Sequence, residues 1–430
     1  MLVRLDVRDA RADLGVRLGL TSVGTIGPDP VADTVRSIIE TVRTQGDAAL
    51  REYTRQFDHA TIDEIRVPRS EWEAAAALTP PEVRAALELA GRRIADYHQR
   101  QVSVPPTSFE ADGLTVTEAI RPVDRAGLYV PGGRAAYPST VLMTAIPARI
   151  AGVPERVLCV PPDRDGVIPA VTLAAALLAD VTEVYRVGGA QAIAAMAYGT
   201  ESIPAVDVIV GPGNAYVDAA KRQVAGAGVV GIDGPAGPSE LVVVADSGAD
   251  PLQVALDLAA QAEHGPGGTA MVVAWDPNVL DAVVDALTGY LGTAERADEI
   301  RSTLSTGGRA VLVRDVEQAI EVANHVAPEH LELLIDHAAE MVPTVRHAGA
   351  VFIDAPTAIG DYVSGANHVL PTGRAARFAS ALRVDDFRTH MHIIRATPDG
   401  LAAVGPAAAT LADAEGLAAH AASVRRRMRS

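Results

Sequence analysis

Short β-branched runs alternate with longer amphipathic or alanine-rich stretches along most of the chain. The apolar runs fall at Val184–Val187, Val206–Val210, Leu241–Ala245, Met271–Ala274, Val311–Val313 and Val351–Ile353. Most are nearly continuous in apolar residues, as strands buried on both faces are. Between them lie stretches of helical character at Ala190–Ala197, Ala215–Ala225, Pro251–His264, Pro277–Leu291 and Val316–Val326. Strands alternating with helices predict parallel sheets with crossover helices, an α/β fold. Upstream, Pro30–Phe57 and Pro80–Gln101 show helical periodicity. Val102–Asp124 is broken by Pro105, Pro106 and Pro122, and reads as a loop with a short strand. The turn-rich stretch Ile232–Glu240 suits a crossing between lobes. After Arg383 the pattern weakens to a strand-like piece ending at Ile394 and a helix from about Ala407 to Arg427.

Composition narrows the class. The chain has 430 residues, enough for two or three domains. It carries 37 Lys and Arg against 54 Asp and Glu, a net charge of −17. That balance argues against nucleic acid as a partner, because phosphate binding needs clustered basic residues. The terminal run Arg425-Arg426-Arg427-Met428-Arg429 reads as a solvated helix end that complements the helix dipole. The single cysteine, Cys159, excludes an intrachain disulfide framework and reads as a small buried hydrophobe. No apolar run approaches the ~18 residues of a membrane span, and the charged N-terminus has no apolar signal core. A cytoplasmic protein without membrane contact is expected. Lys221 is the sole lysine.

Three strand-to-glycine turns stand out: Leu128-Tyr-Val-Pro-Gly-Gly-Arg134, Val187-Gly-Gly-Ala-Gln191 and Val208-Ile-Val-Gly-Pro-Gly-Asn-Ala-Tyr216. Glycines there let a ligand approach the backbone, at the carboxyl ends of strands where such folds bind ligands. None matches G-x-G-x-x-G, and each could be structural. Gln261 and His264, three apart on one expected helix, can share a face and an ion, or form a plain polar helix end. Ile359-Gly-Asp-Tyr362 and Gly365-Ala-Asn-His368 make a loop rich in donors, with Asp361 and His368 either ligands or turn residues. Glu415 and His420 stand on an alanine-rich helix, where a lone His is more often inert. Pro328 followed by Glu329 reads as a helix start. The neighbouring Glu329 and His330 supply a carboxylate that can activate water and an imidazole that can accept a hydroxyl proton. His59, His98, His325, His337, His347, His390 and His392 belong to none of these blocks and are expected outside the chemistry.

Together these segments resemble the histidinol dehydrogenase family. The resemblance rests on Gly127-Leu-Tyr-Val-Pro-Gly-Gly133, Val187-Gly-Gly-Ala-Gln-Ala192, Val210-Gly-Pro-Gly-Asn-Ala-Tyr-Val217, Asp233-Gly-Pro-Ala-Gly-Pro-Ser-Glu240, Gln261-Ala-Glu-His-Gly-Pro266, Ala327-Pro-Glu-His-Leu331, Gly360-Asp-Tyr362 and Asn367-His-Val-Leu-Pro-Thr372. It implies an enzyme that oxidises L-histidinol to L-histidine through an aldehyde with two NAD, at the end of histidine biosynthesis. It implies one zinc per subunit, held by Gln261, His264, Asp361 and His420. Glu329 and His330 would be the catalytic pair. Tyr129, Gln191 and Asn214 would contact NAD. Ser239, His368 and Glu415 would contact the substrate, with the catalytic pair and the four zinc ligands. An N/O ligand set without thiolate suits a hard to borderline metal.

The fold implied is two Rossmann-like lobes plus small terminal extensions. Residues 1–22 would form the N-terminal extension, 23–128 and 240–382 the discontinuous first lobe, 129–239 an inserted second lobe, and 383–430 the C-terminal extension. The family is a homodimer whose C-terminal extension reaches the partner's site, so Glu415 and His420 would act across the interface. Two rivals remain. A metal-dependent hydrolase could use the same ligands with Glu329 as base, but needs no NAD and leaves the three glycine turns unexplained. A non-catalytic homologue should have lost Glu329 or His330, and both are present.

Overall fold

The computed structural model describes residues 2–10, 13–19, 30–102, 106–132, 135–234, 237–265 and 267–428. Gly133, Arg134, Pro235, Ala236, Pro266 and Arg429 of the segments above lie outside them, as do parts of the expected N-terminal extension.

Two parallel sheets with helices on both faces carry the molecule, the two-lobed α/β architecture expected. The six-stranded sheet runs in the order Val3–Asp6, Gly308–Leu312, Thr269–Ala274, Glu240–Ala245, His330–Leu334, Ala350–Ile353. The five-stranded sheet runs Glu183–Tyr185, Glu155–Cys159, Arg125–Tyr129, Val208–Val210, Gly231–Ile232. Side chains alternate across each strand and feed two cores per sheet. Leu241, Val243 and Ala245 join one core with Val272, while Val242 and Val244 join the opposite one with Val273. The segment after Ile232 does cross from one sheet to the other, entering the strand Glu240–Ala245. Among the described residues no helix is long and apolar enough to cross a membrane. Cys159 is fully buried, and burial pushes its thiol far above the ordinary range.

Several expectations need correction. The stretch 30–57 is not one helix. It breaks into Pro30–Gln45 and Asp47–Tyr53 at Gly46, whose φ of +53° favours glycine, and a π turn follows at Thr54–Asp58. The stretch 102–124 contains a hairpin, Ser108–Ala111 with Leu114–Pro122, turning at Asp112-Gly113. This dipeptide is a strong hairpin signal that the prolines around it obscure. The strand Arg388–Ala396 pairs antiparallel with Leu114–Pro122 and completes a three-stranded sheet. The C-terminal helix is two helices, Pro398–Ala414 and Ala418–Arg427, separated at Gly416.

Packing also groups the chain differently from chain order. The helices over 30–101 cover the five-stranded sheet. Val35, Val42 and Leu50 share a core with Ile193 and Val224, while Trp72, Leu87 and Ile94 share the other with Leu142 and Ile146. Val3–Asp6 is an edge strand of the six-stranded sheet. Amphipathicity shows that a helix has an apolar face but not which sheet that face covers.

Candidate active site

Most of the expected site residues fall into two groups, one at the end of each parallel sheet. On the five-stranded sheet the three glycine turns follow the carboxyl ends of Arg125–Tyr129, Glu183–Tyr185 and Val208–Val210. On the six-stranded sheet the opposite edge is used. Glu240 and His330 are the first residues of neighbouring strands, and His330 pairs in register with Leu241 and Ala350. Pro328-Glu329 therefore opens a strand, not a helix. The preceding helix ends at Ala327 in the left-handed region, and Ala350 N–H donates to the Glu329 carbonyl (2.9 Å).

Glu329 and His330 are both buried. Glu329 Oε2 accepts from Glu240 N–H at 3.0 Å and lies 3.6 Å from His330 Nδ1. His330 Nε2 lies 3.6 Å from Asp361 Oδ1. The imidazole thus stands between two carboxylates, tilted against Phe352 with ring centroids 5.7 Å apart. Burial disfavours its charged form, yet Asp361 and Glu329 outweigh burial and hold its pKa above the ordinary value. Burial pushes the Glu329 carboxyl up, against the pull of His330 and the Glu240 N–H. Asp361 is also desolvated, but His330 lowers it below the usual carboxylate range. Gly360 makes this approach possible: a Cβ there would meet Phe352 Cζ at 2.5 Å.

His368 has a fixed tautomer. Its Nδ1 donates to the Asp361 carbonyl (2.8 Å), which can only accept. Nε2 then accepts from Thr140 Oγ1 at 3.1 Å. Burial lowers its pKa, so the neutral ring is favoured. The neighbouring Asn367 donates to the Met143 carbonyl (2.7 Å), and its Nδ2 lies 3.4 Å from Nε2 of fully buried His98. His98, expected outside the chemistry, is a support beneath this loop.

Glu240 is the largest addition to the expected set. Burial first, then the charge of Glu329, pushes its carboxyl up to about 7, and its Oε2 is buried without a hydrogen-bond partner. Thr140 is the other addition. Glu240 lies beside Ser239 in the segment Asp233–Glu240, whereas nothing local to Thr140 or His98 marks their contacts. Behind the site, buried Glu332 pairs with the half-buried carboxyl of Asp257. Burial and Asp257 push Glu332 up to about 8, so Glu332 carries the shared proton.

Gln261 lies in the last turn of the helix Pro251–Ala262, and His264 follows just past its C-cap Glu263, its N–H donating to the Gln261 carbonyl (3.4 Å). His264 acts electrostatically on Glu329, Asp361 and His368. Gln261 is buried, and its Nε2 has no hydrogen-bond partner. Turning the amide over presents a carbonyl oxygen there, the donor a cation wants. Among the described residues no three His, Cys, Asp or Glu side chains converge tightly enough to hold a metal ion. The set Gln261, His264 and Asp361 fits a metal in donor type, with a fourth ligand still to be supplied. Glu415 and His420 are exposed on the C-terminal helices, neither hydrogen-bonded nor ion-paired to another candidate residue of the same chain.

Around the glycine turns, Tyr129 is the hub. Its buried hydroxyl accepts from Gly189 N–H (3.0 Å), two residues before Gln191. Gly211 packs over its backbone with φ +119°, where a Cβ would lie 2.1 Å from the Tyr129 carbonyl oxygen. Asn214 caps the helix Ala215–Gly226, its Oδ1 accepting from Tyr216 and Val217 N–H (3.0 and 3.1 Å). Gln191 Oε1 is buried without a hydrogen-bond partner, an acceptor facing the same turns. The loop is latched by Lys221, whose Nζ donates to the Gly211 carbonyl (3.0 Å) and pairs with Asp233. Asp233 in turn accepts from Gly211 N–H (2.7 Å). Ser239 is half-buried, directly before Glu240.

The sequence matches the histidinol dehydrogenase family over residues 25–428. It is 48% identical to a histidinol dehydrogenase of Rhizobium meliloti over 428 residues, covering 99% of this chain and 98% of that protein. It is 47% identical to one of Pseudomonas syringae over 414 residues, covering 95% and 92%. Among solved structures, histidinol dehydrogenase from Elizabethkingia anophelis superposes with a TM-score of 0.93 at 34% identity, covering 100% of this chain and 98% of that one. With the family model matching nearly the whole chain, relatives of matching length and a matching fold, the chain belongs to the histidinol dehydrogenase family.

Proposed function

We propose that this protein is a zinc-dependent histidinol dehydrogenase that oxidises L-histidinol to L-histidine through L-histidinaldehyde with two NAD. The observation that carries the reading is His330 set between Glu329 and Asp361, with a second imidazole, His368, held neutral beside them. Such a group of positioned acids and bases suits repeated proton transfer. Gln261, His264 and Asp361 would hold the metal, with His420 as the fourth ligand. Zinc would orient the substrate through its amino and imidazole nitrogens, and NAD would accept hydride near Tyr129, Gln191 and Asn214.

The chain's own residues do the proton work. His330 takes the proton of the substrate hydroxyl as the alcohol is oxidised. Its flanking carboxylates stabilise the imidazolium formed. Glu329 removes a proton from the water that adds to the aldehyde. Half-buried Glu240, beside Glu329, has its carboxyl pushed up to about 7, so it keeps a proton near neutrality and leaves Glu329 the ionised member, the form a base needs. Ser239, His368 and Glu415 complete the substrate's surroundings.

We also propose a cytoplasmic homodimer in which Glu415 and His420 reach the partner's site. Their exposure in their own chain supports this. So do the exposed Met391, Ile393, Ile394, Leu411 and Leu417 on the same C-terminal unit, which leave apolar surface to cover. Nucleic acid and membrane are not expected partners. The hydrolase reading loses ground because it gives Tyr129, Gln191 and the glycine turns nothing to do. The test is metal content and NADH formation from L-histidinol, before and after chelation and with zinc restored. The account expects one zinc per subunit and activity that leaves and returns with it. His264→Ala should purify with little zinc; full metal content would remove His264 from the ligand set.

A further inference from the structure

We infer that a second site binds a compact phosphate-class dianion, in a cavity at the rim of the six-stranded sheet. The cavity measures about 290 Å³ and is lined by Asn324, His325, Arg346, His347, Arg374 and Arg377. Every lining side chain carries nitrogen, and none is acidic. This stands out in a chain of net charge −17. Ion pairs hold many of the protein's other arginines, such as Arg125, Arg186 and Arg296. Among the described residues, the guanidiniums of Arg346, Arg374 and Arg377 have no acidic partner. Arg374 Nε is buried and lacks any hydrogen-bond partner, although a guanidinium N–H out of water should have one. Its backbone is held in the left-handed region at φ +65°, an uncommon conformation for a non-glycine residue.

The cavity is built, not incidental. Asn324 clamps the turn that carries two lining residues: its Oδ1 accepts from Arg346 and His347 N–H (2.6 and 3.1 Å), and its Nδ2 donates to the Thr344 carbonyl (3.0 Å). His325 Nδ1 donates to the Glu321 carbonyl (2.9 Å), which leaves Nε2 for the cavity. Fork-shaped guanidinium donors match tetrahedral phosphoryl oxygens. The volume suits a phosphoryl group with a small organic body and is too small for a whole dinucleotide. The walls are tied to the active site by backbone. Gly349 and Ala350 N–H donate to the carbonyls of Pro328 and Glu329 (both 2.9 Å), and the backbone of Gly373 and Arg374 donates to the Glu240 carboxylate.

The test is calorimetric titration of the full-length, metal-loaded protein with inorganic phosphate at constant ionic strength. Saturable binding is expected, weakened at least tenfold in the R374Q/R377Q double variant, which corresponds to about 1.4 kcal/mol. Circular dichroism and an unchanged melting temperature in chloride buffer would show that the variant folds. Equal affinity in wild type and variant, or no saturable heat up to about 10 mM phosphate, overturns the site. A second arm follows NADH formation at varied NAD with and without phosphate. Competition with NAD that persists in R374Q/R377Q would place the anion in the cofactor turns and overturn a second site. Phosphate binding without competition supports a separate site for free phosphate or a phosphate ester. The calorimetry stands even if the dehydrogenase reading fails.

Discussion

Replacing Lys221 by methionine isolates the latch under the expected cofactor turn. The ammonium is fully buried, and the side chain of its partner Asp233 is only 6% exposed. Methionine nearly conserves the volume but removes the charge and the hydrogen bond to the Gly211 carbonyl. Asp233 would keep two backbone donors, Gly211 and Gly234 N–H at 2.7 and 2.9 Å, and lose its counter-ion. Stranding one member of a buried ion pair costs about 3–5 kcal/mol. That is a large share of the roughly 5–15 kcal/mol that holds a domain folded. The pair should be strongly coupled. The K221M/D233N double variant should recover at least about 2 kcal/mol of the sum of the single losses. The assay is urea unfolding of the two singles and the double, with the NAD and histidinol saturation curves of each. Because the latch holds the loop that ends in Asn214, KM for NAD should rise roughly tenfold, with a smaller change for histidinol. A loss below about 1 kcal/mol in K221M, or a double variant as unstable as the sum of the singles, would refute the latch.

Other outcomes follow from the same geometry. Glu332 has its pKa raised to about 8 in the folded protein, so its stabilising contribution is complete below the unfolded value and fades as pH rises through about 8. Glu332→Gln should remove that slope and gain on the wild type by about 2 kcal/mol between pH 5 and 9 in urea titrations; parallel pH profiles would reject the shared proton. His330→Asn should cut turnover by about 10²–10⁴-fold, the range for losing a positioned acid–base group, and normal turnover would remove it from the mechanism. Glu329→Gln should slow oxidation of L-histidinaldehyde more than that of L-histidinol in separate assays of the two steps. Equal losses would count against water activation. Mixing unfolded and refolded H330N and H420N chains should restore about a quarter of wild-type activity, because only mixed dimers own an intact shared site. No recovery would place His420 in its own chain's site or in none.

Much of the fold was legible because it is periodic. Strands buried on both faces write continuous apolar runs, and Leu241–Ala245 was bounded to within a residue. The breaks were harder. Gly46 and Gly416 interrupt patterns that stay amphipathic on both sides, so only the backbone angle reveals the turn. The strand His330–Leu334 was hidden because it carries His330 and Glu332 on one face, polar residues that serve a site and a carboxyl pair instead of a core. The assignment of helices 30–101 to the five-stranded sheet has no local signature, since it depends on which apolar face meets which. In the site, residues that speak through neighbours in sequence were found: Glu329 beside His330, Asp361 after Gly360. Residues that act across the fold were not. Thr140 reaches His368, and His98 reaches Asn367, over separations of 228 and 269 residues. Glu240 sat beside a chosen residue but shows its role only through its desolvation against Glu329.

The central claim is that one site carries out two successive oxidations. It is tested most directly by counting NADH formed from a limiting, weighed amount of L-histidinol at saturating NAD. The account predicts two NADH per histidinol, with histidine as the product. One NADH per histidinol would leave a simple alcohol dehydrogenase and contradict the water-activating role of Glu329. No NADH from fully metallated protein would contradict the dehydrogenase reading itself.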